Sequence, residues 1–499
     1  MSFIRNPDQN MSGVLDQVVE GFEPTPELVS VMAGSKSAVV LGLDIGTSGV
    51  RATLFDERGC EIEGASVRTQ RSLSGLSDYS VIDANSTVEL VADTIDLLLA
   101  RAEVATAYVE LVSISCFWHS LVGVDSEDRA TTPVLGWAET RAGRAAQDLR
   151  SRINEAETHS RTGCRFHPSY WPAKLLWLRA EQPETFNKTS RWLSFSEYLT
   201  LKFFGDASIS VSMASGTGLL NQRTCEWDSP LLEELDISAD SLPEIAATSA
   251  TQANLTAYYA LRWPQLRNAR LCPAIADGAA NNLGSGCTTR DKLAVMIGTS
   301  GAARVLYSGE PPDRIPAELW CYRADRSRVL VGGALSDGGG LYRWLHELFL
   351  PNNDFSENYD SLEALEADAH GLTVLPFWAG ERSTGWSLNA AGGILGLTLD
   401  TRPHEILRAA MEAIAYRFAL IVKALEPISP GASIIASGNA LQSSPVWSQI
   451  LADVLGRPVL LSTTREASTR GAALLALEAA GKIQSIDDDS DEFEKTFMP

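Results

Sequence analysis

A chain of 499 residues holds two to four domains at roughly 150 residues each, and its 45% hydrophobic and 21% charged shares are those of a folded globular protein, not a disordered one. A formal net charge of −22 and a pI near 4.7 make nucleic acid and membrane surfaces poor partners; a small anionic substrate is still admitted where a local cation or Mg2+ overrides the global field. Seven scattered cysteines without a Cys-x-x-Cys pair read as free thiols of a reducing cytosol, with no zinc site.

Residues 1–37 are mixed and polar, without a basic stretch leading into an apolar one, so they do not read as a secretory signal. They are expected to form an extension outside the main fold. No window reaches 18 uninterrupted apolar residues, so no membrane-spanning helix is expected. The first strand is the apolar run Ala38 to Leu43, which ends in Asp44-Ile45-Gly46-Thr47-Ser48-Gly49. Strands follow at Val50 to Phe55 and Cys60 to Thr69, then a helix over Thr87 to Ala105 and a strand over Val109 to Cys116. The second half opens alike, with an apolar run from Leu293 to Met296, Ile297-Gly298-Thr299-Ser300-Gly301, and a strand over Ala302 to Tyr307. Ile-Gly-Thr-Ser-Gly thus occurs twice, each time between strands, which suggests two domains on one plan. Helices over Tyr342 to Leu350, Pro403 to Leu425, Ser444 to Leu455 and Thr469 to Ala480 alternate with strands at Ala432 to Ala436 and Pro458 to Leu461. That alternation predicts an α/β fold. A domain boundary is expected near Leu271 to Ala276, and the carboxylate-rich run Asp487 to Glu494 reads as a solvated acidic tail.

Three constellations could carry chemistry. In Asp44-x-Gly46-Thr47-Ser48-Gly49-x-Arg51, glycine lets backbone N–H groups approach an anion, the hydroxyls add donors and Arg51 adds a phosphate-suited cation. Phosphate beside Asp44 calls for an intervening cation such as Mg2+; a tight β-turn is the competing reading. In Ala276-Asp277-Gly278-Ala279-Ala280, Asp277 is typed both as a helix N-cap and as a general base beside small residues that leave room for a substrate. Phe117-Trp118-His119-Ser120 and Trp137-Ala138-Glu139-Thr140-Arg141 combine flat apolar faces with groups that bond hydroxyls or carboxylates, the mixture a polyol site needs. Gly481-Lys482 lacks the upstream glycine and following hydroxyl of a P-loop.

Together with Ser215 to Leu220, Gly380-Glu381-Arg382-Ser383, Gly396-Leu397-Thr398 and Glu466 to Ala473, these segments resemble the FGGY carbohydrate kinase family over roughly Ala38 to Ile483. The resemblance implies two actin-like (ribonuclease H-like) domains flanking a catalytic cleft: a sugar-binding domain over 38–273 and a nucleotide-binding domain over 274–485, with the acidic tail over 486–499. It implies ATP and Mg2+, with Asp277 as catalytic base and Asp44 near the metal. Thr47, Ser48, Arg51, Thr299, Ser300, Gly340, Gly438 and Asn439 fall at nucleotide-contacting positions, and Trp118, His119, Glu139, Arg141 and Asp277 at sugar-contacting ones. Three positions depart from the family pattern: Glu139 stands for Asp, Asn439 for a glycine whose left-handed backbone Asn tolerates, and Thr384 for a proline. Trp118 to Asp125, Leu135 to Ala138, Trp171 to Leu178 and Gly393 to Leu399 look most like gluconokinases. Arg141, Arg165 and Lys174 are then candidate partners for a substrate carboxylate. The expected reaction is phosphorylation of a terminal hydroxyl of a small sugar or sugar acid, gluconate to 6-phosphogluconate, in the cytoplasm; a homodimer stays open. Alternatives are a kinase for xylulose, ribulose or a glycerol-like polyol, and an actin- or chaperone-like ATPase.

Overall fold

A computed structural model describes residues 38–71, 81–101, 104, 108–246, 252–350, 359–464, 466–488 and 493–499. The expected extension over 1–37 lies outside them. β1 (Ala38–Ile45), β2 (Gly49–Phe55) and β3 (Glu61–Gln70) form an antiparallel meander. α1 (Ala84–Leu99) follows, and β4 (Tyr108–Cys116) returns parallel to β1. The helix lies N-terminal to its predicted span because the Asp83 carboxylate accepts the Ser86 N–H and starts it there, and because it closes at Leu99. Val91, Ile95 and Leu98 face the sheet, packing near Leu41, Leu43 and Ile114. α2 (Trp171–Glu181) belongs to a helical insertion over this half. β5 (Arg270–Leu271) and β6 (Ile275–Ala276) then join the edge of β4 in parallel.

The chain leaves that sheet through α3 (Asp277–Gly284) and repeats the plan. β7 (Lys292–Ile297) and β8 (Gly301–Ser308) are an antiparallel pair. β9 (Trp320–Arg323) and β10 (Arg328–Leu335) extend it, β10 beside β8. After α4 (Gly339–Phe349) and α5 (Pro403–Leu425), β11 (Ser433–Ser437) runs parallel to β7. α6 (Asn439–Ser443) and α7 (Pro445–Leu455) lead to β12 (Val459–Ser462), parallel to β11. The orders β3-β2-β1-β4-β5 and β10-β8-β7-β11-β12 are therefore the same, with the same strand senses. The second sheet has its own core, with Ile414, Phe418 and Ile421 of α5 against Val295 and Val305. The architecture is α/β with two actin-like domains.

α8 (Ala467–Ala479) comes from the end of the chain yet packs on α3 and on β1 and β4. The C-terminus departs from expectation. Phe493–Phe497 is a strand, β13, antiparallel to β12, with Phe497 buried in the second core. The solvated-tail reading does not hold for that strand: buried Phe497 anchors an edge strand whose exposed Glu494 and Lys495 discourage further pairing. Among the described residues no helix is long and apolar enough to cross a membrane.

Candidate active site

Two hairpin loops carry the repeated pentapeptide. In the first, the Gly46 N–H donates to the Gly49 carbonyl at 2.9 Å, and Arg71 holds the carbonyls of Thr47 and Ser48. In the second, the Gly298 N–H donates to the Ser300 carbonyl at 2.9 Å. The start of α4 closes on this loop: Gly339 and Gly340 donate to the carbonyls of Gly298 and Thr299 at 2.8 and 3.0 Å. A Cβ on Gly340 would lie 2.9 Å from Thr299 Cγ2, so only glycine permits the approach. Gly438, at φ 92°, brings α6 against the carbonyl of Ile297. Thr299, Ser300, Gly340, Gly438 and Asn439 thus converge. Asn439 is the first residue of α6, and the left-handed position is Gly438. The tolerance expected of Asn439 is therefore not called upon.

Strand register sets the acids. Asp44 lies opposite Arg51 on β2 and Ser115 on β4, and the Ser115 hydroxyl donates to its carboxylate at 2.9 Å. Arg51 approaches Asp44 at 3.9 Å and pairs with Glu466. Asp277 is the first residue of α3, not its N-cap; Ala276 occupies the cap position, and the Asp277 carboxylate accepts the N–H of its neighbour Gly278 at 2.7 Å. Burial, then the Asp44 charge, push the Asp277 carboxyl up to about 6, against the charge of Arg304 and the N–H groups of Gly278 and Trp118. Burial also raises Asp44, opposed by the Ser115 bond and Arg51. Two oxygen-donor carboxylates that raise the cost of each other's charge suit a hard divalent cation, and the residues present fit Mg2+.

Beside Asp277 lies an aromatic shell. The Trp118 indole donates to the Ser212 carbonyl at 2.9 Å and lies between Gly216 and Gly278, where any side chain would overlap the ring. His119 adopts φ 67°, and its Nδ1 meets the Gly216 carbonyl at 2.6 Å. A carbonyl only accepts, so Nδ1 carries the hydrogen and Nε2 is left as an acceptor. Burial takes the imidazole down to about 3, so it stays neutral. Tyr170 stands 5.0 Å from the His119 ring and shares a 2.6 Å hydrogen bond with Tyr322 of β9, which packs 4.7 Å from Trp118. His167 and Trp386 extend the shell.

The cations proposed from sequence are engaged elsewhere. Glu139 is buried and takes both the N–H and the guanidinium of Arg141, which stacks 4.5 Å over Trp177. Arg165 bonds Glu155 and the Ala317 carbonyl. Lys174, fully buried on α2, donates to the carbonyls of His119 at 2.6 Å and Leu135 at 3.2 Å. None is placed as a free partner for a carboxylate. Sequence reasoning assigned no role to Arg382 or Asp337. Arg382 stacks 5.0 Å over Trp137, and its field reaches Asp277 and Asp337. Asp337 precedes the three glycines that open α4, and burial raises its carboxyl to about 6. Both could have been sought as charged residues inside Gly-rich motifs. Away from the cleft, Asp368, His370 and Glu412 cluster at metal-like spacing. There, His370 Nδ1 accepts the Leu372 N–H, which leaves Nε2 donating to Glu412, and Arg408 neutralises that acid.

The family models describing the N- and C-terminal domains of the FGGY family of carbohydrate kinases match residues 39–284 and 293–480. The chain is 27% identical to a gluconokinase of Bacillus subtilis over 92% of this chain and 91% of the relative. A gluconate kinase structure from Lactobacillus acidophilus superposes with a TM-score of 0.83 at 27% identity, covering 93% of this chain and 94% of the other. A ligand-bound xylulose kinase structure from the same organism gives 0.84 at 27%, with the same coverages.

Proposed function

The chain belongs to the FGGY family of carbohydrate kinases, and from that premise we propose that it transfers the γ-phosphoryl group of ATP to a terminal hydroxyl of a sugar acid, converting gluconate to 6-phosphogluconate. The observation that carries the reaction is the Asp277 carboxylate, set beside Trp118 of the aromatic shell and within the field of Asp44. Asp277 accepts the proton of the attacking hydroxyl as the new O–P bond forms and the bond to ADP breaks. His119 Nε2 accepts a hydrogen bond from a substrate hydroxyl, and Trp118, Tyr170 and Tyr322 pack the carbon chain and exclude water. The Thr47–Ser48 and Thr299–Ser300 loops, with Gly438 and Asn439, cradle the nucleotide phosphates through N–H and hydroxyl donors, and Gly340 holds the second loop in shape through its bond to the Thr299 carbonyl. Asp44 would hold Mg2+, which supplies charge neutralisation at the β- and γ-phosphates. On this reading residues 38–273 carry most of the sugar site, completed by Asp277 and Tyr322, and the rest of 274–485 carries the nucleotide, in a cytosolic enzyme.

Support for gluconate comes from the B. subtilis relative and from the segment Trp118 to Asp125. The equal identity to a xylulose kinase favours a ketopentose as second reading. ADP release with Mg-ATP against a panel of sugars and sugar acids tests both. Stimulation by gluconate alone supports the first reading, stimulation by xylulose replaces it with the second, and sugar-independent release would point to an ATPase.

A further inference from the structure

Five described arginines are less than a tenth exposed: Arg304, Arg323, Arg328, Arg382 and Arg408. Three have a carboxylate within ion-pair distance, in Glu310, Asp325 with Glu478, and Glu412. Arg304 has instead an Asn281 amide oxygen at 3.2 Å. Arg382 has no carboxylate partner among the described residues. Its Nη2 donates to the Leu335 carbonyl at 3.1 Å, and its Nε is buried without an acceptor. Removing a guanidinium from water without a counter-charge is expensive, and a fold that retains one there is built around an anion that arrives later.

The surroundings say which anion. Arg382 stacks on Trp137, and Tyr170 and Tyr322 lie within its field. His119 and His167 in the same shell are held neutral by burial, each near 3. The shell therefore offers hydroxyl-bonding groups and aromatic faces. Arg141, Arg165 and Lys174 are already engaged; Arg304, whose Nε also lacks an acceptor, lies against Gly278 and bonds Asn281, whereas Arg382 is the cation that stacks on Trp137 with unused donors. Asp277 and Asp337 lie close enough for their charges to act on Arg382.

We propose that Arg382 is the specificity-determining residue for the acidic end of the substrate: its unpaired donors bind the carboxylate of a sugar acid while the distal hydroxyl is presented to Asp277. This rests on the sugar-acid reading of the preceding section. The same guanidinium chemistry would serve the transferred phosphoryl group, and the test separates the two anions.

The test measures gluconate binding to the full chain by calorimetry without nucleotide, and steady-state KM and kcat for gluconate and ATP, for the parent, R382Q and R382K. Loss of a charge-assisted contact is expected to weaken gluconate binding about 100-fold in R382Q, as a rise in KM for gluconate with the KM for ATP unchanged. R382K, which keeps the charge without the fork, is expected to recover part of that loss. The thermal midpoint of R382Q is expected at or above that of the parent, because an uncompensated buried charge is gone. If R382Q and R382K bind gluconate as the parent does, the assignment is overturned while the sugar-acid reading stands. A fall in kcat with raised KM for ATP and intact gluconate binding assigns Arg382 to the phosphoryl group and overturns the proposal. A parent that binds no sugar acid removes the sugar-acid reading and the proposal together.

Discussion

Gly284 and Gly471 face each other where α3 crosses α8: a Cβ on either would lie 2.7 Å from the backbone nitrogen of the other. A side chain on Gly284 would also overlap the Ala467 carbonyl, and one on Gly471 the Ala280 carbonyl. This crossing joins the helix that leaves the first sheet to the helix that ends the second domain. Gly471→Ala must push the helices apart, and overpacking of this kind costs about 1–3 kcal/mol. A lowered thermal midpoint is expected, together with reduced activity, since Asp277 begins α3. An unchanged midpoint would mean that the crossing tolerates separation.

Asp277→Asn keeps the shape of the side chain and removes its basicity. Turnover is expected to fall about 10² to 10⁴-fold, with nucleotide binding retained in a calorimetric titration. The parent should show an acid limb in its pH–rate profile. With the Asp277 carboxyl raised to about 6, the proton-accepting form predominates above that pH and is lost below it. His119, near 3, contributes no limb in that range. A profile flat from pH 5 to 8 would remove Asp277 as the base.

Much of this was legible in the sequence, for reasons that differ by element. The repeated Ile-Gly-Thr-Ser-Gly marked both hairpins because glycine and hydroxyls between apolar runs have few other uses. The helix Pro403–Leu425 was legible end to end, since proline at its first turn and a long apolar stripe leave little alternative. Phe493–Phe497 was not, because two phenylalanines among charges carry no period; their register depends on β12. The Tyr170–Tyr322 bond joins residues 152 apart in sequence, and nothing local announces it. Lys174 read as an available cation because sequence shows its charge and not the two carbonyls that claim it. Arg382 lies within Gly-Glu-Arg-Ser, where its role is not legible from sequence, since lacking a carboxylate partner is a property of the fold.

Gly278 is expected to be intolerant for a reason separate from helix propensity. A methyl there would overlap Arg304 Nη1 and stand 2.8 Å from Trp118 Cζ3. Gly278→Ala should therefore shift the indole out of its slot against Gly216 and move Arg304 away from Asp277. The expected result is a rise in KM for the sugar and a loss of about 1–3 kcal/mol in stability, read by steady-state kinetics and chemical denaturation. Alanine tolerated without change in either would show the Trp118 slot to be loose.

Lys174 offers a prediction about stability and pH. Burial lowers its ammonium to about 7 in the folded protein, against 10.5 for the ordinary side chain, with the Glu139 charge opposing. Between those values the unfolded chain binds more protons than the folded one, so this residue makes stability rise with pH across that window. Below pH 7 its desolvation penalty is fully present. Lys174→Met removes the titration, and its stability from pH 7 to 9.5 should rise less than that of the parent. The difference between the two proteins cancels groups common to both. The substitution also strips the donor from the carbonyls of His119 and Leu135. The φ 67° conformation of His119 then loses its tether, and KM for the sugar should rise even where stability is regained. Parallel stability curves for parent and variant would mean that Lys174 remains protonated through this range and that its two carbonyl contacts compensate for burial.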